Sequence, residues 1–144
     1  MKITVCSSFS FYEHVAQLAD QLTALGHEAL IPETAKAMKA AGNFTRDPLR
    51  NKDGTADIGQ KTKAIREHFD EIERADAILV VNDEKSGRPN YIGPNVLMEM
   101  AVAFALRKPI YLLNDIPAES PLLDEIKGLQ PIALHGDLNL LQSF

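Results

Sequence analysis

The chain has 144 residues, of which 45% are hydrophobic and 24% charged, with a formal net charge of −5. This size predicts a single domain over residues 1–144 with a real core. The acidic balance argues against nucleic-acid binding, and no run of 18 apolar residues predicts a membrane span. Cys6 is the only cysteine, which excludes an intrachain disulfide and fits a cytoplasmic protein.

Short apolar runs alternate with helix-like segments along the whole chain. In chain order, the predicted elements are a strand (2–6), a helix (11–25), a strand (28–32), a helix (60–75), a strand (77–81), a helix from about Pro94, a strand (109–113), a short helix (121–129) and a strand (131–134). The strands are apolar throughout rather than alternating, which is typical of a parallel sheet covered on both faces. We therefore predict a flavodoxin-like, Rossmann-like doubly wound α/β fold with strand order 2-1-3-4-5.

Polar residues follow three of these strands. Ser7 and Ser8, Asn82 and Asp83, and Asn114 come directly after the first, third and fourth strands. Ligands of such folds bind outside the carboxyl ends of the strands, so these residues lie on the predicted ligand side.

The segment 33–60 is too polar and too long for an ordinary connection between a strand and a helix. It has room for a turn or two of helix around 34–41. We predict a lid or a flexible insertion, since the segment leaves the second strand on the ligand side. Disorder without a function is the alternative.

Glu99 is the one polar residue in the apolar run from Val96 to Leu106. Pro94 is favoured at a first helical position, which places Glu99 in the first turn and a half, near the positive end of the helix dipole. The simpler interpretation is a solvent-facing carboxylate that stabilises the helix start. The apolar neighbours favour instead a partly desolvated carboxylate, suited to nucleophilic or general-base chemistry.

The segments "ADAILVVND" (75–83) and "GPNVLMEMAVAFALRKPIYLLN" (93–114) form a strand, a Gly-containing loop, a helix with Met-Glu and a Lys-Pro before the next strand. This pattern, with "ITVCSSFSF" (3–11), resembles the nucleoside 2-deoxyribosyltransferase superfamily, which includes nucleotide N-glycoside hydrolases. The resemblance covers about half of the chain, residues 2–12 and 63–114. Characterised members cleave N-glycosidic bonds and pass the sugar to another base or to water.

The resemblance implies that Glu99 is a nucleophile that forms a glycosyl–enzyme intermediate. The family's second acidic residue falls at His68, with Asp70 two residues later. A histidine there could protonate the leaving base, or it could be an exposed helix residue. Six residues before Glu99, transferases carry Asp and nucleotide hydrolases Ser, whereas this chain has Gly93. Gly93 and Asn95 could still donate to a phosphate at the helix N-terminus.

The predicted substrate-binding residues are Ser7, Ser8, Phe9, Asn82, Asp83, Tyr91, Gly93, Asn95 and Asn114. Phe9 and Tyr91 would stack on the base or close the pocket, unless they are ordinary hydrophobic contacts. Asn114 matches a region that in relatives reaches into a neighbouring subunit's site, which implies a homodimer or larger homo-oligomer.

The leading prediction is an enzyme that cleaves the N-glycosidic bond of a nucleoside or nucleoside 5′-monophosphate, without a metal or other cofactor. The missing transferase Asp slightly favours transfer of the sugar to water. The alternative is a non-catalytic nucleotide- or sugar-binding module, because a fold alone does not carry a function and the second acid is replaced.

Overall fold

The computed structural model describes residues 1–45, 47 and 49–141. Its strands are β1 (Lys2–Ser7), β2 (Glu28–Leu30), β3 (Ala77–Val81), β4 (Ile110–Leu112) and β5 (Ile132–Ala133). Its α-helices are α1 (Tyr12–Ala24), α2 (Glu33–Ala41), α3 (Ile58–Arg74), α4 (Pro94–Ala105) and α5 (Leu123–Gly128), and 3-10 turns cover Phe9–Phe11 and Leu138–Leu140. The strands form one parallel sheet in the order β2-β1-β3-β4-β5, which confirms the predicted fold class.

The bounds of the elements differ from the predicted ones by one or two residues. The largest difference of functional interest is the start of α3, which begins at Ile58 rather than near residue 60. Asp57 is the reason, because its side chain caps the helix by accepting a hydrogen bond of 3.1 Å from the backbone N–H of Gln60.

Alternate residues of the strands point to opposite faces of the sheet, and each face has its own apolar core. Leu79 of β3 belongs to the first core, with residues of α1 and α2, whereas Val80 belongs to the second, with residues of α3, α4 and α5. Cys6 of β1 also faces the second side. The helices α3 and α4 therefore pack side by side over β1 and β3, which brings their inward side chains close together.

Lys108 joins the end of α3 to the start of β4. Its Nζ donates hydrogen bonds to the carbonyl oxygens of Ile72 (2.7 Å), Glu73 and Ala75 (2.6 Å) at the end of the helix, where carbonyl groups lack the usual intrahelical donors. The Ile72 oxygen also accepts a hydrogen bond of 3.2 Å from the N–H of Ala75. A cation at this position also complements the negative end of the helix dipole. The lysine of the Lys-Pro pair therefore fixes α3 in the fold, rather than acting on a ligand.

The segment predicted as a lid contains α2, which ends at Gly42 in the left-handed conformation with φ 67°. Beyond it, Arg50 and Ala56 form an antiparallel β-bridge that closes a short turn before α3. No helix among the described residues is long and apolar enough to cross a membrane.

Candidate active site

A cavity of about 430 Å³ opens at the carboxyl end of β1, between the starts of α1 and α4 and the middle of α3. This volume lies in the range of pockets that bind small molecules. Eight of the sequence-predicted site residues line it: Ser7, Ser8, Phe9, His68, Tyr91, Gly93, Asn95 and Glu99. The predicted ligand side is therefore where the structure has a cavity.

Glu99 lies one and a half turns into α4, at the inner wall of this cavity. Its side chain is only 15% exposed, and its Oε2 atom is buried and has no hydrogen-bond partner among the described residues. The cation nearest to it is His68, whose Nε2 lies 3.5 Å from Glu99 Oε2. Since Oε2 is buried, the 15% exposure of the side chain belongs to its other atoms, and through these Glu99 lines the cavity.

His68 lies on α3 and connects two carboxylates. Its side chain is 7% exposed, so the alternative of an exposed helix residue is wrong. Nδ1 lies 3.2 Å from Oε2 of Glu71, which is 6% exposed and sits one turn further along the same face of α3. Nε2 faces Glu99, so the imidazole lies between Glu71 and Glu99.

The pKa of His68 is raised well above its usual value. Burial has the largest single effect and lowers the pKa, but the negative charge of Glu99 and the contacts with Cys6 and Glu71 together outweigh it. This shift favours the protonated imidazole, in which the Nδ1–H is directed at Glu71 and the Nε2–H at Glu99. A buried, protonated donor beside a carboxylate is the arrangement that glycosidic cleavage needs for its leaving group.

Cys6 lies beneath this pair, and its sulfur is within 4.8 Å of ligand-type atoms of His68 and Glu99. Burial and the nearby charge of Glu99 raise the pKa of the Cys6 thiol to about 12. Metal ligation requires a thiolate and a neutral imidazole. Ligation of an ion by these three residues would therefore have to displace the protons of both the thiol and the imidazole.

The start of α4 forms the opposite end of the cavity. Lys85, from the loop after β3, donates a hydrogen bond of 3.1 Å from Nζ to Ser8 Oγ. Its Nζ also lies 5.0 Å from the centre of the Tyr91 ring, and the Arg88 guanidinium lies 4.7 Å from it. Cation–π attraction to these two positive groups thus helps to hold the Tyr91 ring in place.

Gly93 is the residue that allows this position of Tyr91. A β-carbon at residue 93 would lie 2.9 Å from Tyr91 Oη, closer than real β-carbons come to other atoms. The tyrosine side chain therefore occupies the space that a side chain at position 93 would need.

Asn82, Asp83 and Asn114 lie at the strand ends as predicted, but they are not among the residues that line the cavity. Asn82 Oδ1 accepts a hydrogen bond from the Asn114 N–H (2.9 Å), and Asn82 Nδ2 donates to the Asp115 carbonyl oxygen (2.8 Å). Asn114 Nδ2 donates to Asp83 Oδ1 (3.3 Å), and Asp83 Oδ2 lies 2.6 Å from His14 Nδ1. These contacts tie the loop after β3 to the loop after β4; substrate contact by these residues stays a prediction.

Asp70 is exposed on α3 and does not line the cavity, so the structure does not bring it together with Glu99. The sequence analysis missed Glu71 and Lys85. The helical i, i+3 relation to His68 could have identified Glu71, whereas no local signal indicated Lys85. Residues of the predicted lid (33–60) also line the cavity: Glu33, Thr34, Asp47, Leu49, Arg50 and Ala56.

Comparison with known proteins gives fold-level similarity. No protein-family profile and no curated protein sequence matches the chain. A 2-deoxyribosyltransferase from Bacillus psychrosaccharolyticus, a biocatalyst for nucleoside synthesis, superposes with a TM-score of 0.51 at 18% identity, covering 78% of this chain and 71% of its own. The CMP N-glycosidase of Clostridium botulinum superposes with a TM-score of 0.50 at 18% identity, covering 94% and 89%. At this identity the likeness shows the shared fold, and both neighbours are of the kinds that the sequence resemblance names.

Proposed function

We propose that this protein is an enzyme of the nucleoside 2-deoxyribosyltransferase superfamily that cleaves the N-glycosidic bond of a nucleoside or nucleoside 5′-monophosphate. The observation that carries the proposal is Glu99, which lines a cavity of about 430 Å³ and whose Oε2 lies 3.5 Å from Nε2 of His68, a histidine with a raised pKa. The two fold neighbours, a deoxyribosyltransferase and a CMP N-glycosidase, support the same class of substrate.

In the proposed reaction, a Glu99 oxygen attacks the anomeric carbon of the sugar and forms a glycosyl ester. The bond from that carbon to the base nitrogen breaks, and its electron pair goes to the base, which takes up a proton from His68. Water, or a second base, then attacks the same carbon and releases the Glu99 carboxylate. The carboxylate also stabilises the positive charge that develops on the sugar in the transition state. No metal or redox cofactor takes part in these steps.

The walls of the cavity suit such a substrate. The rings of Phe9 and Tyr91 offer apolar surface for a base, and both line the cavity. Ser8, Lys85 and Asn95 offer donors and acceptors for hydroxyl or phosphate oxygens. The residues of the 47–56 segment contribute to the same wall, which is the position that a lid over the substrate requires.

We also propose that the protein acts as a homodimer or larger homo-oligomer through α4. The exposed side of this helix beyond Asn95 carries no charge, and its large residues remain accessible: Met98 (42% exposed), Phe104 (48%) and the following Leu106 (41%). Uncharged helix surfaces of this kind are uncommon on monomers. Because Met98 also lines the cavity, a second copy packed here would lie next to the site.

The test is base release from a panel of nucleosides and their 5′-monophosphates, with and without an acceptor base, followed by chromatography. Glu99→Gln keeps the shape of the side chain and removes the nucleophile, so we expect turnover to fall at least about 10³-fold. Glu73→Gln is the control, since it removes an exposed carboxylate of α3 outside the cavity. For a substrate that the wild type cleaves, intact-mass detection of a glycosylated wild-type protein would identify the ester.

A non-catalytic binding module is the competing function, and the replacement of the family's second acid by His68 is the observation in its favour. Binding of the same panel, measured by calorimetry, separates the two. The binding module would be established, and the enzyme refuted, by three results together. The wild-type protein binds a nucleotide, it releases no base from any compound, and the Glu99→Gln variant binds the nucleotide with unchanged affinity.

A further inference from the structure

We propose that Glu71 is a positioning residue for His68, and that the His68 proton is coupled to the charge of Glu99, so that formation of the glycosyl ester itself triggers release of that proton to the leaving base. The inference rests on the proposed function and adds a residue and a timing mechanism to it.

The geometry behind the inference is a line of buried groups. Glu71 Oε2 lies 3.2 Å from His68 Nδ1, and His68 Nε2 lies 3.5 Å from Glu99 Oε2. The hydrogen bond to Glu71 fixes the rotation of the imidazole ring, so that the buried Nε2 faces Glu99 at the cavity wall. Glu71 is buried, lines the cavity beside His68 and lies on the side of the imidazole opposite to Glu99. Its hydrogen bond to His68 Nδ1 is the contact through which it would act on the reaction.

The other titratable groups around His68 stay neutral. Cys6 of β1 has a thiol pKa of about 12, because of burial and then the Glu99 charge. Burial likewise raises the pKa of Tyr12 of α1. The carboxylates of Glu71 on α3 and Glu99 on α4 are thus the charges in contact with the imidazole.

Further charged side chains line the cavity with greater access to solvent, which screens them: Glu33, Asp47, Arg50, Lys61, Glu67 and Lys85.

The coupling follows from what ester formation does to this arrangement. When Glu99 oxygen bonds to the anomeric carbon, the Glu99 negative charge disappears while His68 remains buried. Burial, which lowers the His68 pKa, is the strongest influence on it, and the Glu99 charge that raised this pKa is now gone. The pKa of His68 therefore falls. The proton on Nε2 moves to the base nitrogen, which has just received the electron pair of the broken carbon–nitrogen bond.

The second half of the reaction reverses the change. Neutral His68 accepts a proton from water at Nε2 while the water oxygen bonds to the anomeric carbon and the ester bond breaks. Glu99 regains its charge, which again favours the protonated imidazole. The hydroxyl of water has then gone to the sugar and its proton to His68, so the site returns to its starting state. Glu71 keeps one negative charge beside the ring throughout and prevents the imidazole from becoming too weak a base.

The decisive experiment titrates the His68 imidazole by NMR in the protein without substrate. Gln at position 99 imitates the neutral ester, so Glu99→Gln should lower the His68 titration midpoint by about one pH unit or more. Glu71→Gln should also lower it, whereas Glu71→Asp and the control Glu73→Gln should leave it near the wild-type value. A midpoint unchanged in Glu99→Gln overturns the coupling, and one unchanged in Glu71→Gln overturns the positioning role.

Turnover as a function of pH gives the second measurement. His68 must be protonated to act as the acid, so activity falls as pH rises through its raised pKa. Glu71→Gln should move this fall in activity to lower pH, and Glu71→Asp should return it to the wild-type pH. A structural role alone would lower the rate without moving the pH at which activity falls. Absence of base release by the wild type would refute the proposed function, while the substrate-free titration would still decide the coupling.

Discussion

Replacing Gly93 by alanine tests the packing of Tyr91 against the start of α4. The new β-carbon would lie 2.9 Å from Tyr91 Oη and 3.3 Å from the ring carbons Cε1 and Cζ. Both separations are tighter than normal contacts, so the ring must move away. That movement disturbs its contacts with Lys85 and Arg88, whose charged groups lie 5.0 and 4.7 Å from the ring centre.

The magnitude follows from two opposing effects. Overpacking of this kind costs about 1–3 kcal/mol, whereas alanine restricts the unfolded chain and recovers about 0.4–1 kcal/mol. The φ of −91° at Gly93 is accessible to any residue, so the backbone adds no strain. The two ranges leave a net loss of about 0–2.6 kcal/mol, and because the β-carbon meets only the far end of the half-buried Tyr91 side chain, we expect the free energy of unfolding to fall by about 1 kcal/mol.

The assay is urea unfolding of Gly93→Ala, Tyr91→Phe and the double variant. Removing Oη relieves the closest contact, so the double variant should lose less stability than the sum of the two single variants, with a coupling of about 0.5 kcal/mol or more. Gly128→Ala is the control, because a β-carbon there meets no atom within 4 Å, and it should be neutral or stabilising. Full stability of Gly93→Ala, or additivity in the double variant, would refute the packing argument.

Two further predictions concern the fold and the assembly. Lys108→Met removes the donors to the end of α3 and should lower the free energy of unfolding in urea by about 1.5–3 kcal/mol. The neighbouring control Arg107→Met should change it by no more than about 0.5 kcal/mol. Equal losses in the two variants would contradict the capping role of Lys108. Phe104→Glu places a charge on the uncharged side of α4 and should convert the oligomer to monomers in light scattering after size exclusion. The control Leu25→Glu, directly after the end of α1, should not. A wild-type monomer at every concentration would exclude assembly through α4.

The fold could be predicted because its signal is repeated along the chain. Every strand is a short apolar run, and right-handed crossovers leave few strand orders for five of them. The position of Glu99 in α4 could equally be predicted from the sequence. Pro94 fixes where α4 begins, and the helix geometry then fixes how many turns into the helix residue 99 lies.

The partners of Glu99 were harder to predict, since they depend on how α3 packs against α4. His68 was identified from the resemblance, yet Asp70 was chosen beside it instead of Glu71. An α-helix turns by roughly 100° per residue, so Asp70 points to solvent while Glu71, three residues after His68, shares its buried face. The contact of Lys85 with Ser8 joins residues 77 positions apart, and no local pattern encodes it.

One part of the cavity wall comes from helices packed on the sheet and the other part from a connecting segment. The two parts differ in how freely their sequence can change. Glu99, His68 and Glu71 stand on helices packed across the sheet, so their mutual spacing is set by core side chains and by the Lys108 anchor. The outer wall comes from a connecting segment with one β-bridge, between Arg50 and Ala56. Sequence diversification confined to 49–56 therefore offers a route to new ligand preferences in which the reacting groups keep their relative positions, and directed evolution of this protein should begin there.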